Sequence, residues 1–367
     1  MFEEFASALS DMLRASPLEA QRPLRWTIIA NPKAGGFTMK TRWKRHLVML
    51  EEGRARARLN SRPSPAEPSR TSLSLPSEGP RKGLLLTRAQ GHGGEICRAL
   101  LDEIAQDEGQ ERPFHLIICA GGDGTSREVM EQLYQAPASI REHLAILRLP
   151  MGTGNDGADA WDLDRALQLI NDKAEVRKQR AVVLKNKGGE RTFLAFNILS
   201  VGLDAFVTHM TNRMKSRFPG DSYKLWIDLA ALFYDKLYTV GYLDVRSRDA
   251  QGKETLAFKE KLLLVAMGES GRRSYGAHKW ILPDERNVCA ITQMPLHRKI
   301  ALKGLLAYGT HMDHKEALLW NAHGLEIYSE HPMLAQMDGE TASLGKEDFP
   351  VNISLSEPVI PILKLLP

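Results

Sequence analysis

The sequence is poor in cysteine, with three in 367 residues: Cys97, Cys119 and Cys289. An odd number without C-x-x-C spacing argues against a disulfide framework and offers no zinc pattern. Cys119 lies in the apolar run Leu116-Ile117-Ile118-Cys119 and reads as a small core residue. Long hydrophobic runs are missing too. The strongest, 262–267 and 225–234 (the second interrupted by Asp228), fall far short of the ~20 residues a membrane-spanning helix needs. Where a secretory signal would place a basic stretch before an apolar block, the chain has Glu3 and Glu4, so no signal is expected. These absences predict a cytoplasmic protein. The formal net charge of +4 is too small to imply nucleic acid, and no nucleic-acid partner is expected.

What is present is ordinary globular composition, 43% hydrophobic and 26% charged, in a chain long enough for two domains. Lys40, Arg42, Lys44, Arg45, Arg54, Arg56, Arg58 and Arg62 crowd one stretch opposed locally by Glu51 and Glu52. Such a patch suits anionic lipid, nucleotide or RNA, and a solvated helix face explains it equally well. Phe2, Phe5, Leu9, Met12 and Leu13 recur at helical spacing and predict an amphipathic helix over 2–15, within an N-terminal extension spanning 1–22. It either packs on the domain or meets a membrane; packing is preferred. Repeated Pro and Ser over 60–82 predict a flexible insertion, taken as 53–82.

Strands at 26–30, 83–87, 114–120 and 144–149 alternate with helices at 39–52, 94–106 and 126–134. That order predicts a doubly wound α/β domain over 23–165, with its ligand site at the strands' carboxyl ends. Beyond about residue 175 the pattern changes. Strands 181–184 and 192–199 flank Lys185-Asn186-Lys187-Gly188-Gly189-Glu190, a hairpin signature. Further strands are expected at 239–247, 255–267, 287–293, 324–329 and 333–337, with one helix at 222–238, so 166–367 reads as a mainly-β sandwich. Trp226, Phe233, Tyr234 and Tyr238 either line a lipid entrance or pack in the core, and packing is preferred. Arg213, Lys215, Arg217 and Lys224 suit anionic headgroups or a solvated face. His209, His311, His314 and His331 show no metal-ligand spacing.

Three polar glycine loops follow successive strands. Gly121-Gly122-Asp123-Gly124-Thr125 joins a strand to a helix. Its glycines let backbone N–H groups approach phosphate oxygens, and the helix start favours the same anion. A carboxylate there, Asp123, suits Mg²⁺ or a proton in transfer. Pro150-Met151-Gly152-Thr153-Gly154-Asn155-Asp156 follows the next strand, and Asn31-Pro32-Lys33-Ala34-Gly35-Gly36 follows the first. An ordinary turn explains any one of them; three together are harder to explain that way.

With these loops, Thr87, Glu128, Gly202-x-Asp204-Ala205 and Asp338-Gly339-Glu340, the chain resembles the diacylglycerol-kinase-type lipid kinases over about residues 24–345. Soluble bacterial lipid kinases resemble it most, and sphingosine and ceramide kinases more distantly. The resemblance implies an α/β nucleotide-binding domain and a β-sandwich lipid-binding domain, with ATP in the cleft between them. It also implies transfer of the γ-phosphate to a lipid primary hydroxyl, with diacylglycerol or a related glycerolipid favoured. ATP and Mg²⁺ are the implied cofactors. Asn31, Gly35, Thr87, Gly121, Gly122, Gly124, Thr125, Gly152, Thr153, Asn155 and Asp156 would contact the nucleotide. Asp338 ranks first as general base, with Glu340 positioning it or helping with Mg²⁺; Asp123 sits beside metal and phosphates, and Asp204 near the acceptor hydroxyl. The implied partner is a lipid at a membrane surface, met peripherally.

The chain departs from the family's pattern at Arg127 (usually Asn), at Gly157 (usually Phe) and at Asp284-Glu285, which lacks the glycine of a structural Mg²⁺ site. Arg127 is compatible with phosphate binding, and Asp284 is carried as a metal candidate. Two rival readings remain. One is a soluble-metabolite kinase of the NAD kinase type, which shares the Gly-Gly-Asp-Gly loop. The other is a catalytically inactive, nucleotide-responsive membrane-binding protein.

Overall fold

The early apolar runs form a parallel sheet. β1 (Leu24–Ala30), β2 (Leu84–Leu86), β3 (Phe114–Gly121) and β4 (Leu144–Pro150) lie in the order β2-β1-β3-β4. β19 (Ile360–Leu365) continues the sheet parallel to β4, and β5 (Ala174–Gln179) closes it antiparallel to β19. This is a computed structural model, and it describes residues 1–21, 23–60, 83–106, 113–152, 155–215, 231–237, 239–275 and 279–365. The chain divides into two units, Met1–Gln179 with Val359–Pro367, and Arg180–Pro358.

In the first unit, helices cover both faces of the sheet, so the doubly wound pattern holds. Ile28, Ile118 and Leu147 point into a core shared with α1 (Phe2–Arg14), α4 (Lys40–Asn60) and α8 (Leu163–Asn171). On the other face, Cys119 Sγ lies 3.7 Å from Ser126 Oγ of α6 (Asp123–Gln135). Beside it, Cys97 of α5 (His92–Gln106) donates to the Val129 carbonyl at 3.8 Å. Burial pushes both thiols up to about 12, consistent with inert core residues.

The N-terminal helix is core, not appendage. Phe5, Leu9, Met12 and Leu13 are fully buried, and the Phe5 ring meets Phe37 edge-on at 5.2 Å. Gly53 makes room for this packing, since a Cβ there would stand 2.7 Å from Met12 Sδ. Residues 53–60, expected as the start of a flexible insertion, are the last turns of α4. Arg54 pairs with Asp11 of α1 and Arg56 with Asp164 of α8, partners far away in sequence. Residues 61–82 lie outside the described residues.

The second unit is a β-sandwich, as the sequence predicts, and one long strand joins its sheets. Its strands are β6 (Val182–Lys185), β7 (Thr192–Ala195), β8 (Ile198–Gly202), β9 (Tyr242–Arg248) and β10 (Glu254–Gly268). They continue with β11 (Arg273–Tyr275), β12 (Lys279–Leu282), β13 (Val288–Thr292), β14 (Ala317–Trp320) and β15 (Gly324–Ser329). β16 (Met333–Met337), β17 (Glu340–Leu344) and β18 (Val351–Leu355) complete the unit. The first half of β10 pairs with β9 and the second half with β8 and β13, so the strand belongs to both sheets. Val265, Met267, Val288 and Ala290 face the core between the sheets. Their neighbours Leu264, Ala266, Cys289 and Ile291 face outward into a second cluster.

That outer cluster is covered by helices the apolar pattern did not reveal, α9 (Leu203–Lys215) and α11 (Leu296–Tyr308). The hairpin at 181–199 forms as expected, with Val182 opposite Ala195 and Lys185 opposite Thr192. Of the helix expected at 222–238, residues 222–230 and 238 lie outside the described residues, as do Trp226, Tyr238, Arg217 and Lys224. Its described part holds a short helix, α10 (Tyr234–Leu237), with Tyr234 buried against Phe206 at 5.3 Å and Phe233 exposed. No helix among the described residues is long and apolar enough to cross a membrane.

If α1 is an integral part of the first core, Phe5→Ala costs about 3–5 kcal/mol, the usual cost of emptying a buried aromatic site. Denaturant unfolding of the purified protein measures it. A loss under about 1 kcal/mol would mean that α1 packs only superficially.

Candidate functional site

The register of the parallel sheet decides where the glycine loops emerge. Ala30 pairs with Ala120, and Gly121 with Pro150, so β1, β3 and β4 end almost level. The loops after them therefore leave the same edge and bond to one another. Asn31 Nδ2 donates to Thr125 Oγ1 at 3.2 Å, and the Asn31 N–H to the Ala120 carbonyl at 2.9 Å. Gly36 N–H, in the short helix α3 (Gly35–Thr38), donates to the Met151 carbonyl at 2.7 Å. Buried Thr87, just past β2, donates its N–H to the Ala30 carbonyl at 2.9 Å.

The closest approach is between glycines. A Cβ added to Gly152 would lie 2.4 Å from Gly122 Cα, so the two loops touch backbone to backbone and only glycine fits at 152. Gly121 is similarly crowded, its added Cβ falling 2.7 Å from Thr125 Cβ. Gly124 is different: a Cβ there meets nothing within 4 Å. It is exposed in the first turn of α6, where Ala would suit the helix better than Gly. The fold supplies no reason for glycine at 124, whereas a ligand at the loop would.

The loop after β4 is held by its own side chains. Asn155, in the left-handed region at φ 59°, accepts from the Gly152 N–H at 2.6 Å and donates to the Pro150 and Gly152 carbonyls. Arg42 Nη1 donates to the Gly152 carbonyl at 2.8 Å, giving one residue of the basic patch a fixed place at the site. Asp123 Oδ1 accepts from the Gly157 N–H at 2.9 Å. Behind this contact lies a buried ion pair, with Arg148 Nη2 2.7 Å from Asp159 Oδ1 and 3.1 Å from Gln179 Oε1. Arg148 interrupts an apolar strand, and a charge in that position must find a partner. That was the available signal for Arg148 and Asp159, which the sequence reading passed over.

Glu128 grips the loop after β2, accepting from the Gly91 and Gly93 N–H groups at 2.6 and 3.0 Å. Arg127, a phosphate candidate in the sequence, pairs instead with Glu131 one turn along α6. Asn31, Gly35, Thr87, Gly121, Gly122, Asp123, Gly124, Thr125, Gly152, Asn155 and Asp156 thus all lie in the loops of this unit or in the adjoining ends of β3, α3 and α6; Thr153 is outside the described residues. The residues present fit Mg²⁺ only as a nucleotide-borne ion. Asp123 is a single half-buried carboxylate, and Mg²⁺ commonly takes one or two carboxylates plus phosphate oxygens. Among the described residues, no three His, Cys, Asp or Glu side chains are grouped to hold a metal.

In the second unit, Asp338 and Gly339 form the two-residue turn between β16 and β17, both at positive φ, 49° and 94°. The Asp338 carboxylate accepts three backbone N–H groups, from Phe196, Asn197 and Ile198, the last two at 3.0 Å. Glu340 opens β17, half-buried beside the turn. Asp204 is buried; its Oδ2 accepts from Ser200 Oγ at 2.6 Å and from Gln336 Nε2 at 3.1 Å. Gln336 Oε1 in turn accepts the Gly339 N–H at 3.0 Å, so Asp204 supports the turn that carries Asp338. Asp284, the second metal candidate, is engaged by the Arg286 guanidinium, whose hydrogen bonds hold its carboxyl below the usual carboxylate range. A cation there would have to displace Arg286.

Residues 25–184 match the diacylglycerol kinase catalytic domain. The Pseudomonas syringae pv. tomato protein named "Probable lipid kinase YegS-like" is 29% identical over 239 residues, covering 62% of this chain and 70% of that protein. Its namesake from Enterobacter sp. (strain 638) is 25% identical over 295 residues, covering 74% and 93%. The crystal structure of a diacylglycerol kinase from Bacillus anthracis str. Sterne shares the fold, with a TM-score of 0.52 at 15% identity over 92% of this chain and 96% of that one. The family match spans somewhat under half of the chain; together with relatives named as lipid kinases over 62% and 74% of it, it supports a kinase.

The contact between glycines makes a direct prediction. Gly152→Ala should destabilise the first unit by about 1–3 kcal/mol, because backbone must move to admit the methyl group. Thermal or denaturant unfolding checks it, and unchanged stability would mean that the loops do not touch.

Proposed function

We propose that this protein is a lipid kinase that takes its phosphoryl group from ATP and passes it to a primary hydroxyl of a glycerolipid, diacylglycerol or a close relative. The observation that carries the reading is the set of loops at one sheet edge, with a glycine at 124 that the fold itself does not require. Backbone N–H groups at the start of α6 suit phosphate oxygens, and Asn31, Thr87 and the loop after β4 complete the nucleotide's surroundings. Asp123, oriented by the Gly157 N–H, would hold Mg²⁺ together with those oxygens. The ion's contribution is to neutralise charge on the transferring group.

Asp338 is assigned the proton. As the lipid oxygen attacks the γ-phosphorus, the O–H proton passes to the Asp338 carboxylate, the new O–P bond forms, and the bond to the β–γ bridging oxygen breaks to release ADP. Three backbone N–H groups fix the orientation of that carboxylate. Glu340 beside it positions the turn or shares in Mg²⁺ binding. Asp204, buried and bonded to Gln336, acts by holding the turn in place. The acceptor is a membrane lipid, so the proposal includes a cytoplasmic protein that meets the bilayer peripherally.

Labelled ATP offered with a total lipid extract tests the reading, with the product identified. A phosphorylated glycerolipid is expected. Asp123→Asn, which keeps an oxygen for the Gly157 N–H, should lower turnover by about 10²-fold or more without unfolding the protein. Transfer to NAD and to no lipid, or unchanged turnover in this variant, would overturn it.

A further inference from the structure

The turn that carries Asp338 is held at more points than a hairpin needs. Cross-strand pairing from Met337–Glu340 to Met333–Leu344 already closes it, and Gly339 already suits its positive φ. Helix α9 nevertheless grips it from the outer face of the sheet. Ala335, Met337 and Leu344 face the core between the sheets, so Gln336 and Thr341, at alternate positions, face the other way, toward α9.

Both polar groups of Gly339 are fixed from this helix. Near its start, Asp204 Oδ2 accepts from Gln336 Nε2 at 3.1 Å, and Gln336 Oε1 accepts the Gly339 N–H at 3.0 Å. Farther along, Asn212 Nδ2 donates to the Gly339 carbonyl at 2.9 Å. On the turn before Asn212, His209 Nδ1 lies 3.3 Å from Thr341 Oγ1. Glu340 therefore stands between two residues, Gly339 and Thr341, that α9 holds.

Stability does not account for the Asn212 bond. Asn212 and Gly339 are both exposed, so water would satisfy either group, and such a bond adds about 1 kcal/mol at most. Asn is also a poorer helix former than Leu or Gln. What the bond supplies is direction, because it fixes the Gly339–Glu340 peptide between two carboxylates. The Asp338 carboxylate is tied to the N–H groups of 196–198, and without Asn212 the tip of the turn would pivot about that tie.

We propose that Asn212 is a positioning residue for phosphoryl transfer, holding the Gly339 carbonyl so that Asp338 and Glu340 keep one orientation. It acts through the turn and not on the substrate. The inference rests on the lipid-kinase reading with Asp338 as proton acceptor, and it gives the turn a second anchor, at the other end of α9 from Asp204.

Asn212→Leu in the full-length protein tests it. Leu is close to Asn in size, forms helix better and has no donor, so the unfolding midpoint should equal that of wild type or exceed it. With ATP and diacylglycerol in detergent micelles, kcat should fall about tenfold while KM for ATP stays unchanged. Asn212→Gln, which keeps an amide donor, should bring kcat back to within about threefold of wild type. Hydrogen exchange gives a readout independent of catalysis: the Gly339 and Glu340 N–H groups should exchange about tenfold faster in Asn212→Leu. The proposal falls if exchange at these groups is unchanged, or if Asn212→Gln is no better than Asn212→Leu. It also falls if the loss of kcat comes with a lowered unfolding midpoint, since Asn212 would then serve the fold. Faster exchange in Asn212→Leu with no lipid phosphorylated by the wild type would keep the anchor and sink the kinase reading. Equal lipid phosphorylation by wild type and Asn212→Leu would do the reverse.

Discussion

The approach of Gly122 to Gly152 governs the first unit's site. Two strands that end level in a parallel sheet do not by themselves bring their following loops into contact; a side chain at 152 would hold them apart. With a hydrogen atom in place of each side chain, the backbones close to van der Waals distance. Once they have closed, the rest of the constellation follows from short-range bonds. Asn155 fastens its own turn, Gly157 lies where its N–H reaches Asp123, and Arg42 reaches the Gly152 carbonyl. The Arg148–Asp159 pair backs this arrangement from inside the unit. Its worth lies less in net stability than in the cost of breaking it, about 3–5 kcal/mol when one buried partner is lost.

The second unit solves a similar problem differently. Asp338 sits in a tight Asp-Gly turn that backbone conformation alone would specify. Three backbone N–H groups tie its carboxylate to the segment leading into β8, while Asp204 and Gln336 brace the turn from below. A turn residue is thereby turned into a fixed carboxylate. In both units a polar group with a proposed chemical role is placed by backbone N–H donors on rigid elements, an arrangement that limits its motion.

Much of this was legible in the sequence because the relevant signals are local. Strand, glycine turn and helix stand next to each other at 114–135, and the N-terminal helix announces its buried stripe with Phe5, Leu9 and Met12. What the sequence did not disclose depends on partners far along the chain. Arg54 and Arg56 look like a solvated patch until Asp11 and Asp164 are folded against them. The segment 360–365 is a plain apolar run, with nothing to say that it returns to pair with β4 and β5. Helix α11 was missed because it has apolar residues on its outer face as well as its inner one, which is also tied by charges, so periodicity gives no clear core stripe. Asp338 was legible as a candidate, but its three N–H bonds to residues about 140 positions earlier were not.

The central claim is that phosphate occupies the open side of the 121–125 loop, and Gly124 isolates it. The fold leaves space at this position, and a helix gains about 0.5–1 kcal/mol when Ala replaces Gly. Titration calorimetry of ATP against Gly124→Ala, with unfolding measured on the same protein, therefore separates ligand from scaffold. The account predicts stability equal to wild type or higher, together with ATP affinity lowered by about tenfold, 1.4 kcal/mol, or more. A Gly124→Ala protein that binds ATP as tightly as wild type would contradict it.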